Sequence, residues 1–254
     1  MTVITIDLNA DLGESPERLA DGSDAQLMHY ITSANIACGG HAGDAATIEQ
    51  TLQLAQQNHV AAGAHPGYPD RAGFGRTALN IPLADLESSI ADQINALFAI
   101  ARRLRMPLVH VKPHGALYHS CNRDVAIARI VGRAALAIEP RLILVGQADS
   151  PCLLVYREMG LRIAAEAFAD RAYEPDGSLR NRSLPGAVLD SPELASAQAI
   201  SLVTRRRVLT ASSEIAISAD TLCIHSDTSQ ASAIARRIRE QLAVAGVEVR
   251  ALAA

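Results

Sequence analysis

The segment HVKPHGALY, residues 110–118, holds the chain's one lysine, Lys112, between two histidines, whereas every other fixed positive charge is an arginine. A lysine in an apolar strand must reach an opening or pair with acid. Its compact ammonium, whose proton affinity can shift, is something a guanidinium does not imitate. A lysine kept on a solvated surface is the plain alternative. Pro113 and Gly115 then turn the chain and aim His114 at the same place. Asp7, Asn9 and Asp11 recur at a period of two, which puts them on one side of an extended segment. Acid inside a strand is costly unless it is paired or liganded, and a buried arginine partner would answer that need as well as a site would. Glu14 reads as a cap for the helix that follows.

Four histidines, His41, His65, His114 and His225, each follow an apolar run at a different corner of the sequence. A lone histidine is more often a hydrogen-bonded structural residue, but four in equivalent places weigh more. His29, His59, His110 and His119 lack that placement and read as surface or core residues. Imidazoles beside carboxylates suit two chemistries. One is a divalent metal that activates water, with Asp11, His41 and His65 as donors. The other is metal-free acid–base and oxyanion catalysis. No H-E-x-x-H occurs to decide between them. Cys38, beside His41, fits a buried structural thiol better than a nucleophile. Without a G-x-x-x-x-G-K-[ST] segment, any use of ATP would not run through a P-loop.

The elements that must position these groups alternate. Candidate strands are 3–8, 33–37, 60–64, 108–112, 142–146, 162–168 and 221–225. Helical patterns cover 24–32, 44–58, 83–105, 123–138, 150–159, 194–203 and 229–245. Short apolar strands alternating with amphipathic helices imply a parallel sheet covered by helices. Seven units suggest a (β/α) barrel one short of eight, with an open doubly wound sheet as the competitor. Six of the seven strands end in ionisable side chains, and parallel α/β folds build their sites at those carboxyl ends. The stretch YEPDGSLRNRSLPGAVLDSP, 173–192, breaks the rhythm and reads as a hairpin or lid within one domain spanning 1–254.

Composition narrows the classes. With 49% apolar residues the chain can bury one large core, and the net charge of −4 with scattered arginine clusters argues against nucleic acid. The opening residues carry acid early and lack a long apolar run, so neither a leader nor a membrane anchor is expected. Four widely spaced cysteines fit a reduced, cytoplasmic protein.

Together DLNADLGE, NIACGGHAGD, GAHPGYPD, GFGR, VKPHGALY, EAFADRAY with DGSLRNR, and LCIHSD resemble, in that order, the LamB/YcsF family, also called the A-type subunits of 5-oxoprolinase. The resemblance runs from Asp7 to Asp227. It implies an irregular TIM-like (β/α)7 barrel related to glycoside hydrolases and polysaccharide deacetylases. It also implies ATP-dependent opening of 5-oxo-L-proline to L-glutamate, with ATP cleaved to ADP and phosphate, beside two partner subunits of B and C type. Thr77, His119, Ser226 and Ser229 depart from the family's motifs, and none removes an acid, histidine or lysine of the expected mouth. For such chemistry Asp11 or His65 would activate water, and His114 or Glu166 would protonate the leaving nitrogen. Lys112, Arg71, Arg76 and Arg171 would hold anionic groups, with Asp7, Asn9, His41 and His225 as further substrate contacts. A stand-alone metal-dependent deacetylase and a non-catalytic substrate carrier are the competing readings.

Overall fold

The computed structural model describes residues 3–228 and 230–253. The first half of the chain forms β1 (Thr5–Leu12), α1 (Pro16–Ala20), α2 (Ser23–Met28), β2 (Ser33–Ala37), α3 (Ala45–Gln57), β3 (Ala61–His65), α4 (Leu83–Arg103), β4 (Leu108–Val111) and α5 (Gly115–Cys121). There follow α6 (Val125–Ile138), β5 (Ile143–Gln147), α7 (Pro151–Glu158), β6 (Arg162–Phe168) and α8 (Pro192–Ile200), which runs into a π-helical turn (Ser201–Arg205). The chain ends with β7 (Arg207–Leu209), β8 (Glu214–Ala216), β9 (Thr221–Cys223), α9 (Ala231–Val244) and β10 (Glu248–Val249).

Strands β1 to β6 and then β9 pair in order, all parallel, and β9 pairs back onto β1 to close a seven-stranded barrel. Closure leaves these strands without a free edge and excludes the open sheet. β1 runs four residues beyond its expected end because β9 bonds to Asp7–Asn9 and β2 to Asn9–Leu12. Asp7, Asn9 and Asp11 therefore all face inward, while Leu8, Ala10 and Leu12 join the apolar layer under the helices. On α4, Leu86, Ile90, Ile94, Leu97 and Ala101 recur at helical spacing and are buried. Each large side chain of that stripe contributes about 1.5–3 kcal/mol, enough to fasten the helix over β3, α3 and α6.

Several elements differ from expectation. The helix expected over 24–32 is Ser23–Met28, and the short α1 before it starts at Ser15–Pro16. Helix α5 continues directly from the KPHG turn. The 173–192 excursion is irregular, with single bridges from Arg171 to Val188 and from Tyr173 to Leu179; the regular hairpin is β7–β8. The last helix was expected from Ser229, which lies outside the described residues, as do residues 1, 2 and 254. No described helix is long and apolar enough to cross a membrane.

Candidate active site

Lys112, one residue past β4, is buried with its ammonium 3.0 Å from Asp11 Oδ1 and 2.9 Å from Glu166 Oε1. Burial works to lower its proton affinity, but the charge of Asp11, the Cys223 sulfur and the charge of Glu166 outweigh that and push it well above the usual lysine value. The ammonium also donates to Asn9 Oδ1 at 3.2 Å. Asn9 in turn donates to Glu166, and Asn35 donates to both Asn9 Oδ1 and Asp11 Oδ1. Alternation along β1, β2, β4 and β6 thus fills this level of the barrel with a cross-strand polar network in place of an apolar layer. His110 completes it, donating from Nε2 to Asn35 at 2.7 Å. Gly63 on β3 makes room for that ring, since a Cβ there would lie 2.2 Å from it. Burial, then the nearby Lys112 charge, pulls His110 down to about 3, so the ring is neutral.

Asp11 faces upward from this layer. Burial works to raise its carboxyl, yet the facing His65 ring and the charge of Lys112 hold it well below the usual carboxylate range. His65 Nε2 lies 3.4 Å from Asp11 Oδ2 and 3.1 Å from His114 Nδ1, and its Nδ1 donates to the Lys112 carbonyl at 2.7 Å. His114 is brought there because its backbone N–H donates to Pro66 O, locking the end of β4 against the end of β3. Its Nε2 donates to Phe74 O at 2.9 Å. Glu14 Oε1 sits 3.1 Å from both His41 Nε2 and His114 Nδ1. Burial opposes ionisation of Glu14, but its close contacts with His114 and His41 prevail and its carboxyl is held well below its usual range.

The expectation that Glu14 caps a helix is corrected here: Ser15 is the cap, with Pro16 at the first helical position, and Glu14 is free to turn inward. The Ser-Pro pair was the signal that could have shown this. The GFGR loop closes over the imidazoles at Gly75, whose φ is +60°. A Cβ there would come within 2.9 Å of His41 Cβ, so both conformation and contact call for glycine.

A cavity of about 1330 Å³ opens above, walled in part by Asp11, Glu14, Arg76, His114, Arg171 and His225. His225 stands apart from the other three histidines. Its Nδ1 and backbone N–H both meet the Asp170 carboxylate, at 3.0 and 2.9 Å, and its ring stacks on Phe168. Burial works to raise Asp170, and the facing His225 charge and hydrogen bonds bring it below its usual value. Sequence reasoning passed over Asp170, Asn35 and His110, although an Asp two residues past β6 and a polar residue within apolar β2 were both visible.

Other expected site residues lie elsewhere. Asp7 is buried deeper in the barrel, accepting from Thr32, Ser33 and Thr221, and burial raises its carboxyl. Glu166 and Lys112 lie behind the cavity wall. Arg71 donates to the carbonyls of Gly39 and Gly43 and, with His41, faces a separate pocket of about 240 Å³. Arg171 donates to the carbonyls of Arg180 and Ala187, which staples the excursion to the mouth. At the rim Asp227 accepts two 2.8 Å bonds from Arg182 and one of 3.3 Å from Arg76. Cys38 is buried and its thiol is pushed up to about 12 by burial, as a structural cysteine requires.

Fold and site define a TIM-like α/β barrel with a carboxylate, ammonium and imidazole cluster at the carboxyl ends of its strands. The chain belongs to the LamB/YcsF family, whose model matches residues 6–254. It is 46% identical over 249 residues to the 5-oxoprolinase A subunit of Chloroflexus aggregans, covering 98% of this chain and 99% of that one. It is 47% identical to the protein of the same name from Methylococcus capsulatus, covering 98% and 96%. Among solved structures, the lactam utilization protein from Thermus thermophilus superposes with a TM-score of 0.91 at 42% identity, covering 98% of this chain and 100% of that one. A family 4 carbohydrate esterase from Streptomyces lividans, at TM-score 0.54 and 11% identity over 98% and 93%, shares the fold.

Proposed function

We propose that this chain is the A subunit of an ATP-dependent 5-oxoprolinase, opening the lactam of 5-oxo-L-proline to give L-glutamate while ATP is cleaved to ADP and phosphate. The observation that carries the reading is Asp11: a carboxylate on the cavity wall, held ionised by Lys112 at 3.0 Å and faced by His65 at 3.4 Å. The names of the relatives at 46% and 47% identity support it.

An unstrained lactam is a poor electrophile, and phosphorylation of its carbonyl oxygen by ATP would activate it. Asp11 then takes the proton of the attacking water. Lys112 fixes the carboxylate from behind and keeps it ionised. As the C–N bond breaks, the ring nitrogen needs a proton. His225 is placed to deliver it, since Asp170 binds its Nδ1 and leaves Nε2 for the cavity, the arrangement by which a carboxylate orients a catalytic imidazole. Arg76 and Arg182 at the rim suit the substrate carboxylate or a phosphate. Partner subunits of B and C type supply the nucleotide site in this reading, consistent with the lack of a P-loop here. The cytoplasm is the fitting compartment for an ATP-using enzyme with four free cysteines.

The test is reconstitution with the partner subunits, following ATP-dependent glutamate release. Asp11→Asn and His225→Gln should each slow turnover by on the order of 100- to 10,000-fold. Near-normal rates in both would remove the chemistry from this chain and leave the carrier reading. A stand-alone deacetylase is the second reading, favoured by the Glu14, His41, His65 and His114 cluster. It predicts release of acetate from N-acetylated sugars by this chain alone, without ATP.

A further inference from the structure

We infer that Glu14, His65 and His114 form a binding site for one divalent cation of the zinc type, and that His41 positions Glu14 without being a ligand. The three candidate donor atoms are Glu14 Oε1, His65 Nε2 and His114 Nδ1. They are separated by 3.7 Å (Glu14 to His65), 3.1 Å (Glu14 to His114) and 3.1 Å (His65 to His114). Ligands about 2.0–2.1 Å from a tetrahedral ion lie roughly 3.4 Å apart, so the triangle already has the size of one face of such a site.

Hydrogen bonding sets the tautomers. His65 Nδ1 faces the Lys112 carbonyl at 2.7 Å, and His114 Nε2 faces the Phe74 carbonyl at 2.9 Å. A carbonyl only accepts, so both of those nitrogens carry the hydrogen. The other nitrogen of each neutral ring is then a bare lone pair turned toward the Glu14 carboxylate. Three acceptors meet in a buried place where neither imidazole of the triangle supplies a hydrogen, and a cation satisfies all three at once. A carbonyl behind each imidazole is also how proteins orient metal-binding histidines.

His41 offers a fourth nitrogen within reach, but two observations exclude it from the ligand set. Its ring stacks on His114 with centroids 3.6 Å apart and planes 3° from parallel. An ion lying in the plane of one ring would stand well out of the plane of the other. Its Nδ1 also has no partner, in contrast to His65 and His114. Its Nε2–H instead donates to Glu14 Oε1 at 3.1 Å. Because Glu14, His114 and Asp11 all wall the large cavity, the face of the triangle left open is the one that a small molecule can reach.

The inference does not rest on the lactam reading, because its readout is the ion itself. The full chain, stripped with a chelator and dialysed, is titrated with zinc while thermal midpoint and bound metal are both measured. One zinc per chain should bind and raise the midpoint, as any ligand of the folded state does. Glu14→Gln and His114→Asn should weaken binding by on the order of 100-fold or more, while His41→Phe, which removes only an orienting contact, should weaken it by about 10- to 100-fold. Each variant's metal-free midpoint and circular dichroism show whether it is folded. A folded wild-type chain that gains no stability from zinc overturns the site, and so does full zinc affinity in folded Glu14→Gln. Equal losses in His41→Phe and His114→Asn overturn the assignment of His41.

Discussion

Lys112, Asp11 and Glu166 are held inside the barrel, whereas Asp227 with Arg76 and Arg182 lies at the rim, where the aspartate side chain is 44% exposed. Both groups combine carboxylates with cations at hydrogen-bonding distance, yet they obey different physics. At the rim, water and salt screen the charges and long side chains must be ordered to hold the pairs, so the geometry contributes little to stability. Inside the barrel the same pairing is strong, and removing one partner strands the others without solvent. The inner cluster therefore keeps a defined shape before any ligand arrives, while the rim can rearrange around one.

The largest expected effect follows from breaking the inner cluster on one side. Lys112→Met leaves Asp11 and Glu166 buried without their cation and should cost about 3–5 kcal/mol of folding stability. Urea unfolding at neutral pH measures this, and a loss below about 1 kcal/mol would mean that the cluster behaves like a surface pair. Lys112→Arg tests whether the guanidinium can stand in; the confined space between β1 and β6 predicts that it cannot.

A second prediction concerns pH. Unfolded, His110 takes up its proton near the ordinary value of 6.5, but folded it resists protonation until about 3. Between those values the unfolded chain binds the extra proton, so stability falls as pH falls, by about 1.4 kcal/mol per pH unit in the middle of that window. Urea midpoints measured from pH 6 to pH 4 should drop less steeply in His110→Gln than in the parent. Parallel curves would show that this ring is not held neutral. Asp11 and Glu14, whose carboxyls are held below their usual range, add to the loss only below about pH 4, once their unfolded counterparts protonate.

The smallest effect belongs to the rim. Asp227→Asn should change stability by at most about 1 kcal/mol. In the reconstituted 5-oxoprolinase it should act on KM more than on kcat, and the change should shrink as salt is raised. A stability loss comparable to that of Lys112→Met would erase the distinction between the two regions.

Much of this was legible in the residues. Seven strand–helix units, the inward face of Asp7, Asn9 and Asp11, and a lysine that had to find acid all followed from local periodicity and the cost of burying charge. Three of the four singled-out histidines do gather. The metal donors expected from sequence, Asp11, His41 and His65, share only His65 with the triangle described here. Glu14 and His114 enter it because of where the GFGR loop and the KPHG turn bring them, and neither placement is a property of spacing along the chain.

The sequence by itself determined which side of each strand its polar residues occupy, because alternation is set by the backbone of the strand alone. It also determined that these residues collect at one end of the sheet, because parallel units repeat in one direction. Only the tertiary structure decided which of them touch. Register between strands, the closure of β9 onto β1 and the tilt of each imidazole are set by contacts far apart in the chain. Two hydrogen bonds to main-chain carbonyls, from His65 and from His114, therefore say more about the chemistry of this mouth than any one motif does.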